Sequence, residues 1–427
     1  MAKNKQVLSL FTGCGGMDLG FEGNFRVPVE CVNTQIHPDW VIEKNLNTVL
    51  LKKTSFRTVF ANDIRPDGKV AWTTYFKKYG HNEDAYHLTS IVDLVKAHKN
   101  GEFSFPKDID VVTGGFPCQD FSVAGKRKGF ESHKSHSGEL HNNDIPTEET
   151  RGKLYLWMRN VIEITKPKVF IAENVKGLVS LGNVQSIIEN DFRNIDKGYV
   201  VVPAQVLFAA NYGVPQSRER VIFIGLNKRF LKKTAIKALT QDVIHEDYNL
   251  YPKKTHYPVN RRHKNQLSFF NSFDHLKPYV TTSQAFKGLS EPEQEQTDYS
   301  QKVFSKAKYG GKTQGQTEVK LDSIGHTIRS EHHGNIEYRR LSAEHGGTHT
   351  EELKAGLPER RLTLRECARI QTFPDDFEFV IPSKEKPRQF ILNSSNAYKL
   401  VGNAVPPLLA YHLAQRLESL WDKLFTK

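Results

Sequence analysis

Hydrophobic residues in the first 225 positions fall in short β-branched or aromatic runs separated by stretches of helical spacing. The runs predict strands at Val7–Phe11, Thr58–Ala61, Asp110–Thr113, Val169–Ala172, Val200–Phe208 and Val221–Gly225. Leu154, Trp157, Val161 and Ile164 recur three or four positions apart, which predicts a helix over Lys153–Thr165. Strands alternating with helices indicate an α/β fold: a Rossmann-like parallel sheet with helices on both faces. Over residues 226–357 the periodicity gives way to Lys, His, Asn, Gln, Ser and Thr with scattered aromatics (Tyr251, Tyr257, Phe269, Phe270, Tyr279, Phe286), and the region reads as a smaller, irregular, basic module. Periodicity returns in RLTLRECARIQTF and in PPLLAYHLAQRLESLWDKLF. In the latter, Pro406 and Pro407 open a helix whose stripe of Leu409, Leu413, Leu417, Leu420, Trp421 and Leu424 is core packing. Residues 358–427 are therefore expected to return to the first domain, residues 1–225.

The segments just past the strands matter more than the strands themselves. GCGG comes after the first, ND after the second, GGFPCQ after the third and ENV after the fourth. Open α/β sheets bind ligands in the crevice beyond the carboxyl ends of their strands, so these clusters are expected to converge there. In LFTGCGGMDLGFE, Gly13, Gly15 and Gly16 allow a ligand close to the backbone. Asp18 stands where a dinucleotide fingerprint needs its third glycine, and a carboxylate there opposes a pyrophosphate. Asp63 is placed to accept hydrogen bonds from ribose hydroxyls, with Glu30 as the second choice and a helix cap as the plain alternative. Cys118 is expected at a strand-to-loop junction, and the GKRKG segment after it offers a positive field that favours thiolate. Glu173 comes after a run that reads as buried on both faces, a setting in which a carboxyl holds or shares a proton. In QSRERVIFIG, strand alternation points Arg218 and Arg220 to one side, to bind a carbonyl oxygen, a carboxylate or a phosphate. A salt-bridged edge strand is the alternative there.

Composition adds a little. Sixty Lys and Arg against 48 Asp and Glu leave a net charge of +12, which favours a polyanionic partner. No run has the length of a membrane span and the amino terminus does not read as a signal peptide. The four cysteines (Cys14, Cys31, Cys118, Cys367) have neither disulfide nor zinc spacing. A reducing, cytoplasmic setting without membrane or metal is the expectation.

Taken in order, LFTGCGGMDLGFE, FANDI, GGFPCQDFS, RGKLY, ENVKGL, QSRERVIFIG, RLTLRECARIQTFP and KLVGNAVPP closely resemble the cytosine-5 DNA methyltransferase family of bacterial restriction-modification systems. The resemblance covers most of residues 7–225 and 358–410. It implies a sheet of the S-adenosylmethionine-dependent methyltransferase kind, a catalytic and cofactor-binding domain at 1–225 and a target-recognition domain at 226–357. It implies that Cys118 adds to carbon 6 of a cytosine rotated out of duplex DNA, with Glu173 at nitrogen 3 and the exocyclic amine. Arg220 would meet the base carbonyl, supported by Arg218 and Gln216. For S-adenosylmethionine, Phe11 would stack near the adenine, Gly13 and Gly15 approach the methionine part, Asp63 with Ile64 hold the nucleoside, and Asn403 close the pocket. Ser90 stands where the family often has an acid near the adenine amino group. Gln119, Ser122, Lys126 and Arg127 after the cysteine, with Gln216, Thr327 and Ile328 (the last two in GHTIRSEHHGN), are the candidate DNA contacts. The implied partner is double-stranded DNA, met by a monomer, with a cognate endonuclease acting on the same site without direct contact.

Departures from the family pattern are an insertion near 33–53, Ser90 itself, and a long loop, 131–150, before Arg151. Three other readings compete. They are a transfer-RNA methyltransferase of the same family, a nicotinamide-dependent dehydrogenase, and a DNA-binding protein without catalysis. The large module argues against the first, Asp18 against the second, and the intact Cys118, Glu173 and Arg220 against the third.

Overall fold

A computed structural model describes residues 4–117, 153–196, 198–258, 275–311, 315–330, 335–383, 385–386 and 389–426. Its centre is a seven-stranded sheet: β1 (Lys5–Leu10), β2 (Phe56–Asp63), β3 (Tyr86–Leu88), β4 (Val111–Gly115), β5 (Val169–Val175), β6 (Tyr199–Phe208) and β7 (Glu219–Asn227). In space the order is β3-β2-β1-β4-β5-β7-β6. The pairings from β3 to β5 are parallel, whereas β7 runs antiparallel to both β5 and β6. The sheet is thus parallel-rich, as expected, with one reversed strand near its edge. The reversal carries the amino-terminal end of β7 to the same edge as the carboxyl ends of β1, β2, β4 and β5.

Period-two alternation divides the strands between two cores. Val7, Val111, Val169 and Ile222 face one core, and their neighbours Leu8, Val112, Phe170 and Val221 face the other. Burial on both sides explains why these runs are nearly continuous in apolar residues. Helices Ile91–Lys99, Leu154–Thr165 and Val184–Arg193 cover one face. Helix Gly16–Glu22 and the last helix, Pro407–Leu424, cover the other, so the chain returns to the sheet at its end.

Two regions depart from the pattern read in the sequence. The insertion supplies strands Val41–Lys44 and Thr48–Leu51, which join Arg26–Pro28 in a three-stranded antiparallel sheet. Trp40, just before it, packs edge-on against Tyr411 and His412 of the last helix. The stretch from 228 to 251, assigned by composition to the separate module, also lies against the sheet and the last helix. The Tyr251 hydroxyl donates to the carbonyls of Pro203 and Ile222, and Lys232 N–H donates to the Leu424 carbonyl.

The module beyond that stretch is held by buried ions as much as by apolar packing. Glu291 accepts from Arg340 and Arg360, Glu366 accepts from Arg360, and Glu352 accepts from Arg339 and Arg340. Arg340 and Arg360 are almost wholly buried, so each loss of a carboxylate strands a charge. Burial pushes the Glu291 carboxyl up, but the hydrogen bonds from Arg340 and Arg360 pull it further down, to about 2. A depressed native pKa stabilises above the ordinary glutamate value, and that contribution disappears as pH falls toward 2. Glu291→Gln is therefore expected to lower stability at neutral pH by roughly 1–3 kcal/mol. It is also expected to flatten the fall of melting temperature below about pH 4.5. Parallel melting-temperature curves for the two proteins across that window would remove the assignment.

Candidate active site

The clusters beyond the strands meet in one cavity of about 750 Å³. Phe11, Gly13, Asp63, Ile64 and Ser90 line one part of it, and Gly115, Phe116, Pro117, Glu173 and Arg220 another. Asn403, at the end of helix Ser394–Asn403, and Thr327 with Ile328 complete the wall from the later parts of the chain.

Local geometry explains the first part. Phe11 and Gly13 both take positive φ, 52° and 56°, so the chain turns sharply off β1. A Cβ added at Gly13 would meet nothing within 4 Å, because that side of the backbone opens into the cavity. Asp63 ends β2, and its two oxygens accept from the backbone N–H groups of Gly13 at 2.8 Å and Arg65 at 3.0 Å. Burial raises its carboxyl above the ordinary range against the pull of those donors. Each oxygen keeps a lone pair for a further donor. Ser90 caps helix Ile91–Lys99, its hydroxyl accepting from Val92 N–H at 3.3 Å.

The second part is built around a pair of opposite charges. Glu173 lies within β5 rather than after it, between Gly115 of β4 and Ile222 of β7. Its Oε1 stands 2.6 Å from Nε of Arg220, at the start of β7, and both side chains are about nine-tenths buried. Arg220 Nη1 also donates to the Glu219 carbonyl at 2.7 Å. Gly115 makes room for this pair, since a Cβ there would come within 2.8 Å of Glu173 Oε2. Asn174 turns the other way and donates to the Phe116 carbonyl at 3.1 Å, fixing the turn that leads to Pro117. Cys118 is joined directly to Pro117 but lies outside the described residues, as do Gln119, Ser122, Lys126 and Arg127.

The family model for C-5 cytosine-specific DNA methylase matches residues 5–419. The chain belongs to that family. Among its relatives, the Type II methyltransferase M.NgoFVII of Neisseria gonorrhoeae is 30% identical over 439 residues, 99% of this chain and 88% of that one. The Type II methyltransferase M.BsuRI of Bacillus subtilis is 30% identical over 421 residues, 96% of this chain and 78% of its own. Among solved structures, the Entamoeba histolytica methyltransferase EhMeth matches with a TM-score of 0.53 at 14% identity, covering 99% of both chains. The S. pombe Dnmt2 methyltransferase matches at 0.52 and 15% identity, covering 98% of this chain and 99% of its own. At such identities these two likenesses concern the fold alone.

For this member of the methylase family, Arg218, Gln216, Gly15 and Asp18, all singled out in the sequence, stand away from the cavity. Arg218 precedes β7 instead of alternating within it, and its wholly buried guanidinium donates to the carbonyls of Ile328 at 3.2 Å and Gly402 at 2.9 Å. Gln216 is equally buried. Its amide donates to Gln371 Oε1 at 3.0 Å and its oxygen accepts from Ile328 N–H at 3.1 Å. Both fasten the segment around Ile328 to the sheet edge, a positioning task. Gly15, at φ 87°, serves packing, since a Cβ there would strike Trp72 at 2.6 Å and Phe76 at 2.7 Å. Asp18 is buried too and accepts from the Trp72 indole at 2.8 Å, so the carboxylate read as opposing a pyrophosphate is held inside the fold and does not line the cavity.

Sequence reasoning also passed over residues that the fold brings in. Gln371, inside RLTLRECARIQTFP, donates to the Val401 carbonyl at 2.7 Å and completes a relay with Gln216. His326 and Arg329, on either side of Thr327 and Ile328, line the cavity as well. Thr327 itself is pinned, its hydroxyl donating to the Ser217 carbonyl at 2.8 Å.

Proposed function

We propose that this protein transfers a methyl group from S-adenosylmethionine to carbon 5 of cytosine within a specific duplex DNA sequence, as the modifying partner in a restriction-modification system. The observation that carries the reading is the Glu173–Arg220 pair, 2.6 Å apart in the wall of the cavity that also holds Pro117 and Asp63. Family membership and relatives named as Type II methyltransferases support the DNA substrate.

The residues present fit the cofactor. Gly13 leaves open space for a ligand backbone, Asp63 offers acceptors for two hydroxyls, and Ile64, 44% exposed, gives an apolar face beside it. Phe11 would stack near the adenine, with Ser90 and Asn403 closing the pocket. Bound S-adenosylmethionine supplies an electrophilic methyl group on a sulfonium sulfur.

At the other end Cys118 acts as nucleophile. Its thiolate adds to carbon 6 of the extruded cytosine, forming a carbon–sulfur bond and moving electron density onto carbon 5. Cytosine accepts that attack poorly unless density is drawn toward nitrogen 3. Glu173 provides this by hydrogen bonding or proton sharing at nitrogen 3 and the exocyclic amine, while Arg220 donates to the carbonyl oxygen. After methylation the ring gives its carbon-5 proton to water, that bond's electrons re-form the 5,6 double bond, the carbon–sulfur bond breaks, and Cys118 leaves as thiolate. Thr327 and Ile328 stand beside the base, and Gln119, Ser122, Lys126 and Arg127 are assigned to the DNA.

Bisulfite sequencing of DNA from cells expressing the protein, with purified enzyme assayed on duplex DNA and on transfer RNA, tests the reading. The expected result is 5-methylcytosine at one recurring DNA sequence. Methylation confined to transfer RNA, or none in either, would overturn it.

A further inference from the structure

We propose that His326, backed by the carboxyl of Glu337, grips a phosphate of the DNA backbone beside the extruded cytosine, and that Glu337 is its positioning residue. The proposal rests on the methyltransferase reading and deepens it.

Glu337 is 8% exposed, and its Oε2 has no hydrogen-bond partner among the described residues. Isolation of this kind leaves a carboxyl needing either a proton or a cation. Burial raises its pKa to about 8. Its ion-pair neighbour is the His326 ring, whose Nε2 stands 3.6 Å from Glu337 Oε1. Cys367, a fully buried thiol whose pKa is raised by burial and by the nearby Glu366 and Glu337 carboxyls, brings no positive charge to Glu337.

His326 is the exposed member of the pair. Its side chain is 58% exposed and lines the cavity next to the pinned Thr327. With Nε2 turned to Glu337, Nδ1 is the nitrogen left for a partner outside. Burial lowers the imidazole pKa and the positive charge of Lys320 lowers it further. The free site is thus poised, with an acid that lacks a cation behind a base that lacks an anion. A phosphate arriving at Nδ1 supplies the missing charge. The imidazolium then sits between two anions, Lys320 turns from a repulsive neighbour into a second attraction, and Glu337 gains its counter-ion. A neutral base edge would leave the imidazolium's second charge relation unmet, which is why a phosphate is favoured over guanine.

The test uses full-length enzyme, methylated-product kinetics and DNA binding on duplexes that carry the recognised sequence. His326→Ala is expected to raise the DNA KM about tenfold and leave kcat within twofold, the loss of one charge-assisted contact. It should also shrink the slope of log affinity against log salt by about one, and S-adenosylmethionine binding should not change. Glu337→Gln, which keeps shape but not charge, is expected to shift the DNA KM in the same direction and to add little in the His326→Ala background. Unchanged DNA KM and salt slope in His326→Ala would overturn the contact. Loss of discrimination at a single base position would overturn the phosphate assignment, and full additivity of the two substitutions would overturn the role of Glu337. Wild-type methylation of DNA, measured alongside, separates these outcomes from a failure of the methyltransferase reading itself.

Discussion

Cys118→Ser is expected to lower methyl transfer by at least about a thousandfold while the protein still binds S-adenosylmethionine and duplex DNA. The reason is chemical. A thiol ionises far more readily than a serine hydroxyl, and its thiolate is the stronger nucleophile toward a ring carbon. The turn itself does not depend on the sulfur, because the Asn174 side chain holds the Phe116 carbonyl from the neighbouring strand. Single-turnover methylation and equilibrium binding, measured on one preparation, separate chemistry from binding. Retained turnover in the serine variant would remove Cys118 from the mechanism.

The second large effect concerns Glu173→Gln. An amide keeps the volume of the side chain and an oxygen to accept from Arg220, so the fold at the centre of β5 is expected to stand. It gives up the ability to hold or share a proton at cytosine nitrogen 3. General acid–base help of this kind contributes roughly 10²–10⁴ in rate, and kcat is expected to fall by that much with DNA affinity within a few-fold. A kcat within fivefold of wild type would mean that the ring is activated by some other group. Arg220 would then be the first candidate, because it already stands 2.6 Å from the same carboxylate.

How much of this site can be read from residues alone depends on how far each signal reaches. Strands buried on both faces announce themselves, and six of the seven are legible to within a few residues. The exception is β3, whose three residues, Tyr86–Leu88, are too few to form a pattern. Glycine and acid clusters at strand ends are equally visible, and Gly13, Asp63 and Glu173 all line the cavity. Side-chain direction is less accessible. Arg218 and Arg220 are two positions apart, yet one faces the cavity and the other is spent on the Ile328 and Gly402 carbonyls, because β7 begins only at Glu219. Gly15 has the look of a ligand glycine, while its real neighbour is Trp72, more than fifty residues away in the chain. Asp18 and Gln216 mislead for the same reason: their partners, Trp72 and Gln371, become neighbours only on folding. His326 lies in GHTIRSEHHGN, but nothing in that segment ties it to Glu337, and burial of one member beside exposure of the other is what reveals the pair's chemistry.

The most direct test of the central claim is covalent capture. In a duplex whose target cytosine carries fluorine at carbon 5, there is no proton to lose after methylation, so the carbon–sulfur bond should persist. Enzyme, cofactor and this duplex are expected to give a denaturation-resistant protein–DNA adduct that peptide mass spectrometry locates at Cys118, formed far more slowly by Glu173→Gln. An adduct at any other residue, or none under conditions where unmodified duplex is methylated, would contradict the account.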